Sequence, residues 1–221
     1  MEKTLSALVV HDIKNALALL EIDLEQLIHR EDAPTEGIRA YRRCVDLKSR
    51  LISFLTLYKY DQSGLQPLTQ EVVLLEFIED LVRHSQSGMA PESHHGHKIT
   101  VSIDYEKMQM GRMATAWLDE NLVELAMESA LNNAIRYAHH RVDVWVEQTP
   151  DALILNVQDD GVGVGVVGAL MQRNIPDQSS STGLGLALCK AVAEAHGRGE
   201  VRLESISGGG TLFSMTLRSA S

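Results

Sequence analysis

Three short stretches in the second half of the chain carry residue types suited to holding a phosphorylated ligand. They are Ser129-Ala130-Leu131-Asn132-Asn133-Ala134-Ile135-Arg136-Tyr137, Asp159-Asp160-Gly161-Val162-Gly163 and Thr182-Gly183-Leu184-Gly185-Leu186. Glycines let a backbone come close to phosphate, and a helix N-terminus offers free N–H groups at the positive end of its dipole. Mg²⁺ prefers oxygen ligands and keeps several waters, which suits the side-chain carbonyl of Asn133. A carboxylate such as Asp159 can accept a hydrogen bond from the exocyclic amine of adenine. Arg136, Arg173 and a bound Mg²⁺ would offset the charge of a triphosphate. Taken singly, each stretch has a plainer reading as a turn, a surface pair or a helix start. Their order and separation are what favour a shared phosphate-handling role over those plainer readings.

A fourth stretch, His11-Asp12-Ile13-Lys14-Asn15, lies near the start of the chain. On a helix, His11 and Asn15 fall one turn apart on one face. His11 stands just outside the apolar seam, so its imidazole is expected to reach solvent. A neutral imidazole can attack a γ-phosphate through one ring nitrogen if a base takes the proton from the other. Asp12 is placed to accept that proton and to fix the tautomer. Its plain reading is one histidine among nine, flanked by ordinary helix charges.

The elements that would position these groups follow from periodicity. Val10, Ile13, Leu17, Leu20, Leu24 and Leu27 alternate spacings of three and four, as do Cys44, Leu47, Leu51, Phe54 and Tyr58. The break between them contains Pro34 and Gly37, so residues 1–60 read as an antiparallel helical hairpin. Its apolar faces are too wide to bury alone, and a second copy would complete a four-helix bundle in a homodimer. Residues 61–67 are polar with a glycine and a proline, and read as a linker. Residues 68–221 mix helical segments (74–82, 121–137 with Asp119 as N-cap, 185–196) with strand-like ones (99–103, 142–146, 152–157, 201–203, 212–217). That is an α+β sandwich, with helices layered on one face of a sheet. Residues 164–182 lack periodicity and read as a loop.

Composition narrows the classes. Twenty Lys and Arg against thirty Asp and Glu leave a net charge of −10 over 221 residues. This argues against nucleic acid as a main ligand and equally disfavours an anionic membrane surface. No apolar run reaches the roughly 18 residues a membrane span needs. Only Cys44 and Cys189 are present, so a disulfide scaffold is not expected and a reducing, cytoplasmic setting is. His94, His95 and His97 could suggest a metal, but their polar, glycine-containing surroundings read as a solvated turn. Cys189 reads as core.

Together the stretches resemble those of two-component sensor histidine kinases, whose ATP-binding fold is shared by gyrase, Hsp90 and MutL. The asparagine stretch resembles the N box, Asp159-x-Gly161-x-Gly163 the G1 box and Gly183-Leu184-Gly185-Leu186 the G2 box. Gly209-Gly210-Thr211-Leu212-Phe213 resembles the closing Gly-Thr-x-Phe element, and His11-Asp12-x-x-Asn15 the H box. The resemblance implies a dimerisation and phosphotransfer hairpin followed by a catalytic ATP-binding domain. It implies autophosphorylation of His11 from Mg-ATP and transfer to an aspartate on a response-regulator receiver domain. Asn133 would ligate Mg²⁺, and Arg136 would stand where a phosphate-contacting lysine is usual. Tyr137 would line the pocket and Asp159 would hold the adenine amine. Gly161, Gly163, Gly183, Leu184 and Gly185 would shape the cradle and lid, with Thr211 near the adenine. Asn15 would orient a water for dephosphorylating the response regulator. Ser129 departs from the pattern where another Asn is common, Ser181 where a Gly is, and no Phe-rich F box is present. The alternatives are a histidine phosphotransferase with a degenerate ATP-binding domain, and a non-catalytic dimeric module that sequesters a receiver. A serine kinase of the anti-sigma type would share the nucleotide boxes without needing the hairpin.

Overall fold

The structure is a computed structural model. It describes residues 2–29, 34–86, 98–111, 113–163 and 183–218, with the side chains of all but 2–12 and 42. The chain divides into two compact units, residues 1–58 and 59–221.

The first unit is built from helices α1 (Glu2–Ile28) and α2 (Thr35–Ser63). They pair antiparallel. Cys44 Sγ approaches the carbonyl of Leu17 at 3.7 Å, Lys48 pairs with Glu21, and Leu27 packs over Gly37. The three-and-four spacing therefore does form two paired helices. The pairing buries Cys44 but leaves Ile13, Leu20, Leu47, Phe54 and Tyr58 each more than two-fifths exposed. An open groove remains between the helices, lined by Leu17, Leu20, Leu24, Ala40, Cys44 and Leu47. The second helix runs through the first three residues read as linker and ends at Gly64, whose φ of +72° suits a C-terminal stop.

The second unit follows in the order β1 (Gln70–Val73), α3 (Leu74–Gln86), β2 (Thr100–Ile103), β3 (Thr115–Leu118), α4 (Glu120–Tyr137), β4 (Arg141–Gln148), β5 (Ala152–Asp159), α5 (Leu184–Ala195), β6 (Glu200–Ser205) and β7 (Thr211–Arg218). Five strands form a mixed sheet in the order β2-β4-β5-β7-β6. The β2–β4 pair is parallel and the rest are antiparallel. Strands β1 and β3, unforeseen in the sequence, make a separate antiparallel ribbon.

Alternation along β4 and β5 turns Val142, Val144, Val146, Leu155 and Val157 toward the helices. They close the core with Ile78, Met127, Leu131, Leu188 and Met215, all buried. Each such side chain contributes about 1.5–3 kcal/mol of burial. The expected N-cap is present: Asp119 Oδ1 accepts from Leu122 N at 3.1 Å. Its other oxygen accepts from Leu68 N at 2.8 Å. The Asp119 N–H itself donates to Nε2 of buried His196 at 3.0 Å. His196 Nδ1 lies 2.8 Å from the Val192 carbonyl. A backbone N–H can only donate and a carbonyl can only accept, so this pairing uses Nε2 as the acceptor and Nδ1–H as the donor. That interlock joins the end of α5 to the start of α4.

Candidate functional site

Helix α4 acts as the ruler of the site. Ser129, Asn133 and Tyr137 recur every fourth residue, so they stack on one helical face over about 12 Å. Tyr137 meets the Gly161 turn, and Ser129 and Asn133 both border Gly185.

At the C-terminal end of α4, a Cβ on Gly161 would run into the Tyr137 carbonyl and lie 2.9 Å from Asp159 Oδ1. Only glycine allows the β5 turn this close to the helix. Asp159 ends β5, is buried, and accepts from the Gly161 N–H at 2.8 Å. Its register partner on β7 is Thr211, which also donates to its carboxylate. Burial pushes the Asp159 carboxyl above the ordinary value, against the pull of the Gly161 and Thr211 donors, and the neighbouring charge of Asp160 adds to the rise. Gly210, at φ +99°, lets β7 pass directly over the Asp159 carbonyl. Gly163, at φ +80°, sits against the Gly210 carbonyl and Ser205.

Asp160 faces the other way. Its Oδ1 accepts from the N–H groups of His139, His140 and Arg141 at 2.9, 3.0 and 3.1 Å. Partial burial disfavours its charge, but the three donors outweigh that and hold the carboxyl below its ordinary value. Basic residues just past a helix end, such as His139-His140-Arg141 after α4, ordinarily cap its C-terminus. Instead their backbone N–H groups grip Asp160, and Ala138 is the C-cap. This grip fixes the end of α4 against the Asp159-Gly161 turn. Asp160 was missed as a site residue because no pattern tells which way a side chain points where a strand ends.

At the middle of α4, the space where a Cβ on Gly185 would stand is taken by the Ser129 hydroxyl, with Asn133 Nδ2 at 3.4 Å. Gly183 is the N-cap of α5 in a left-handed conformation, φ +70°, and provides no side-chain cap. The first N–H groups of α5, beginning at Leu184, are therefore without intrahelical partners, and the first bond of the helix runs from Ala187 N to the Gly183 carbonyl. Arg136 and Asn133 make no hydrogen bond or ion pair among the described residues. An uncommitted carboxamide, a free guanidinium and an uncapped helix start suit a triphosphate and an oxygen-ligated Mg²⁺.

Cys189 donates to the Ala126 carbonyl at 3.3 Å, and burial pushes its thiol up to about 12, so it is core rather than nucleophile. His11, Asp12 and Asn15 lie on α1 in the other unit, and Asn15 is exposed. The side chains of His11 and Asp12 fall outside the described residues, as do Arg173, the 164–182 loop and His94, His95 and His97. Among the described residues no group of three metal-ligating side chains occurs, and no helix is long and apolar enough to cross a membrane.

Residues 118–221 match the family described as histidine kinase-, DNA gyrase B- and HSP90-like ATPase. The heme sensor protein HssS of Staphylococcus saprophyticus is 25% identical over 219 residues, covering 95% of this chain and 45% of HssS. Sensor histidine kinase RppB of Synechocystis is 26% identical, covering 98% of this chain and 49% of RppB. Residues 118–221 thus carry the ATPase domain of that family, and over nearly its whole length the chain is similar to two-component sensor histidine kinases. The chain spans about half the length, or less, of these curated relatives. In fold it is similar to the Acinetobacter baumannii histidine kinase AdeS, with a TM-score of 0.58 at 18% identity and 98% coverage of each chain. It is similar too to full-length ShkA in complex with AMPPNP, with a TM-score of 0.63 at 16% identity, covering 97% of this chain and 46% of that one. The second unit is thus an ATP-binding α/β domain with a mixed sheet.

Proposed function

We propose that this chain is an ATP-dependent protein-histidine kinase that phosphorylates His11 and passes the phosphoryl group to an aspartate of a response-regulator receiver domain. The observation that carries this is the alignment of Asp159, Gly161, Asn133 and Gly185 along one face of α4. Asp159 accepts from the adenine amine, which gives base selectivity. Tyr137 and Thr211 flank the adenine, and the start of α5 takes the phosphates. Asn133 would hold Mg²⁺, which offsets phosphate charge when bound. Arg136 adds a fixed positive charge. The His11 imidazole attacks the γ-phosphorus, the bond to the β,γ-bridging oxygen breaks, and ADP departs. Asp12 takes the proton from the second ring nitrogen. Positioning and charge neutralisation supply most of the rate in such transfers.

The hairpin is proposed to dimerise. Its uncovered Leu20, Leu47 and Phe54 and the groove beside them need an apolar partner, and a second copy supplies one. Two unbridged, buried cysteines suit a reducing, cytoplasmic compartment.

Incubation with γ-labelled ATP and Mg²⁺ tests the assignment. The wild type should acquire an acid-labile, base-stable label that is lost in His11→Ala and in Asp159→Ala. An unlabelled wild type that also fails to bind millimolar ATP would favour the phosphotransferase reading. Binding without label would sink the histidine kinase. Asn15 is assigned to orienting water against the phosphorylated receiver. Asn15→Ala should therefore keep autophosphorylation within about threefold while slowing receiver dephosphorylation about 10²-fold, in the range of a lost positioning group. Unchanged dephosphorylation would remove that role.

A further inference from the structure

The position at which the chain departs from its family's asparagine pattern is also the most unusual polar group in the site. Ser129 is 9% exposed, and its hydroxyl makes no hydrogen bond among the described residues. Serine in a helix commonly returns its proton to the carbonyl one turn back, as Ser53 does to Ser49 at 2.9 Å. Ser129 does not. No fully buried side-chain polar atom among the described residues lacks a partner, so this hydroxyl keeps a narrow opening to solvent. It points at the first turn of α5, since it is the atom nearest to where a Cβ on Gly185 would lie. Asn133 Nδ2 borders the same space at 3.4 Å. A hydroxyl that neither bonds back to its own helix nor finds a protein partner, and that opens beside an uncapped helix start, is available to a ligand or to a ligand's water.

We propose that the Ser129 hydroxyl accepts a hydrogen bond from a water on the nucleotide's Mg²⁺, making Ser129 a positioning residue for the cation beside Asn133. This rests on the nucleotide-binding reading above and deepens it. The chemistry of the pair supports the assignment. Mg²⁺ dehydrates reluctantly and keeps several waters. A cation-bound water presents its protons outward and needs acceptors, and a serine oxygen has two lone pairs. Serine reaches one bond from its Cβ, a turn away from Asn133 on the same face, so a bridging water fits it better than direct ligation. Gly185 is the matching half of the device, because any side chain there would displace the hydroxyl. On this view Ser129 does not mark a decayed site but a water-mediated version of an asparagine pair.

The test is equilibrium binding of ATP to the whole chain, with excess Mg²⁺ and separately with EDTA. Wild type, Ser129→Ala and Asn133→Ala are compared, with thermal unfolding as a check on fold. The wild type should bind more tightly with Mg²⁺. Ser129→Ala should lose about three- to tenfold of that gain, the worth of one water-mediated bond, while its affinity in EDTA stays within about twofold of wild type. Asn133→Ala should lose more of the Mg²⁺ gain. Equal weakening of Ser129→Ala in both conditions, or a Mg²⁺ gain left intact, overturns the proposal. Failure of the wild type to bind ATP in either condition overturns the nucleotide reading itself, which separates the two failures.

Discussion

Asp159→Asn is expected to weaken ATP binding by about 100-fold, roughly 3 kcal/mol, while raising the thermal stability of the nucleotide-free protein at neutral pH. The two effects have one cause. Asp159 is buried, and burial holds its carboxyl above the ordinary value despite donors from Gly161 and Thr211. A raised carboxyl contributes its stability in the protonated form. That contribution is complete below the unfolded value, about 3.9, and is lost as the pH rises through the folded value. At neutral pH the folded protein therefore carries an ionised carboxylate at a cost. An asparagine keeps an oxygen for the Gly161 and Thr211 donors and removes the charge. Its amide, however, turns a donor toward the adenine amine, where an acceptor is needed. Thermal unfolding from pH 7 down to pH 3 checks the sign. The gain of Asp159→Asn over wild type should shrink toward zero as Asp159 protonates. A variant destabilised at pH 7, or one that binds ATP as wild type does, would show that the carboxylate is not held there for the ligand.

Its neighbour runs the opposite way. Asp160 is held below its ordinary value by the backbone donors of His139, His140 and Arg141, which outweigh its burial. Its contribution is present above the unfolded value and is lost as the pH falls through the folded one. Two adjacent carboxylates thus divide the work, one clamping the scaffold and one, under the proposed function, left to meet the adenine. The sequence displays both as an Asp-Asp doublet before a glycine and cannot distinguish them, because the difference lies in which way each side chain leaves the end of β5.

Other parts of the molecule were readable for definite reasons. Helix α4 announced itself by an aspartate cap followed by an apolar stripe, and β4, β5 and β7 by alternation long enough to count. The β1–β3 ribbon was not readable. Each strand is four residues long, too short for a period of two to stand out, and Trp117 sits exposed on it. Parallel pairing of β2 with β4 was hidden as well, since alternation shows a buried face and not the partner strand. The glycines were legible as a group, but their separate jobs depend on what each backbone passes. Gly161 meets Tyr137, Gly185 meets Ser129, and Gly183 meets nothing but needs a positive φ.

That division predicts a graded response to alanine. Gly111 has open space and an ordinary φ, so Gly111→Ala should change stability by less than about 0.5 kcal/mol. Gly183→Ala also has open space but forces a Cβ into the left-handed region, at about 1–2 kcal/mol. Gly161→Ala is expected to cost about 3 kcal/mol or more, because its Cβ would run into the Tyr137 carbonyl. The carbonyl cannot yield cheaply. It belongs to the last turn of α4, and the next residues are gripped by Asp160 through three backbone N–H groups. Relief would require breaking that grip or pulling β5 off its register with β4 and β7. Either would also open the end of the cleft assigned to adenine under the proposed function, so Gly161→Ala should lose nucleotide binding even where it remains folded. Chemical unfolding of the three variants orders them. A Gly161→Ala protein as stable as Gly111→Ala would mean that the turn and the helix end can separate freely, and then the contact between them could not be what shapes the cleft.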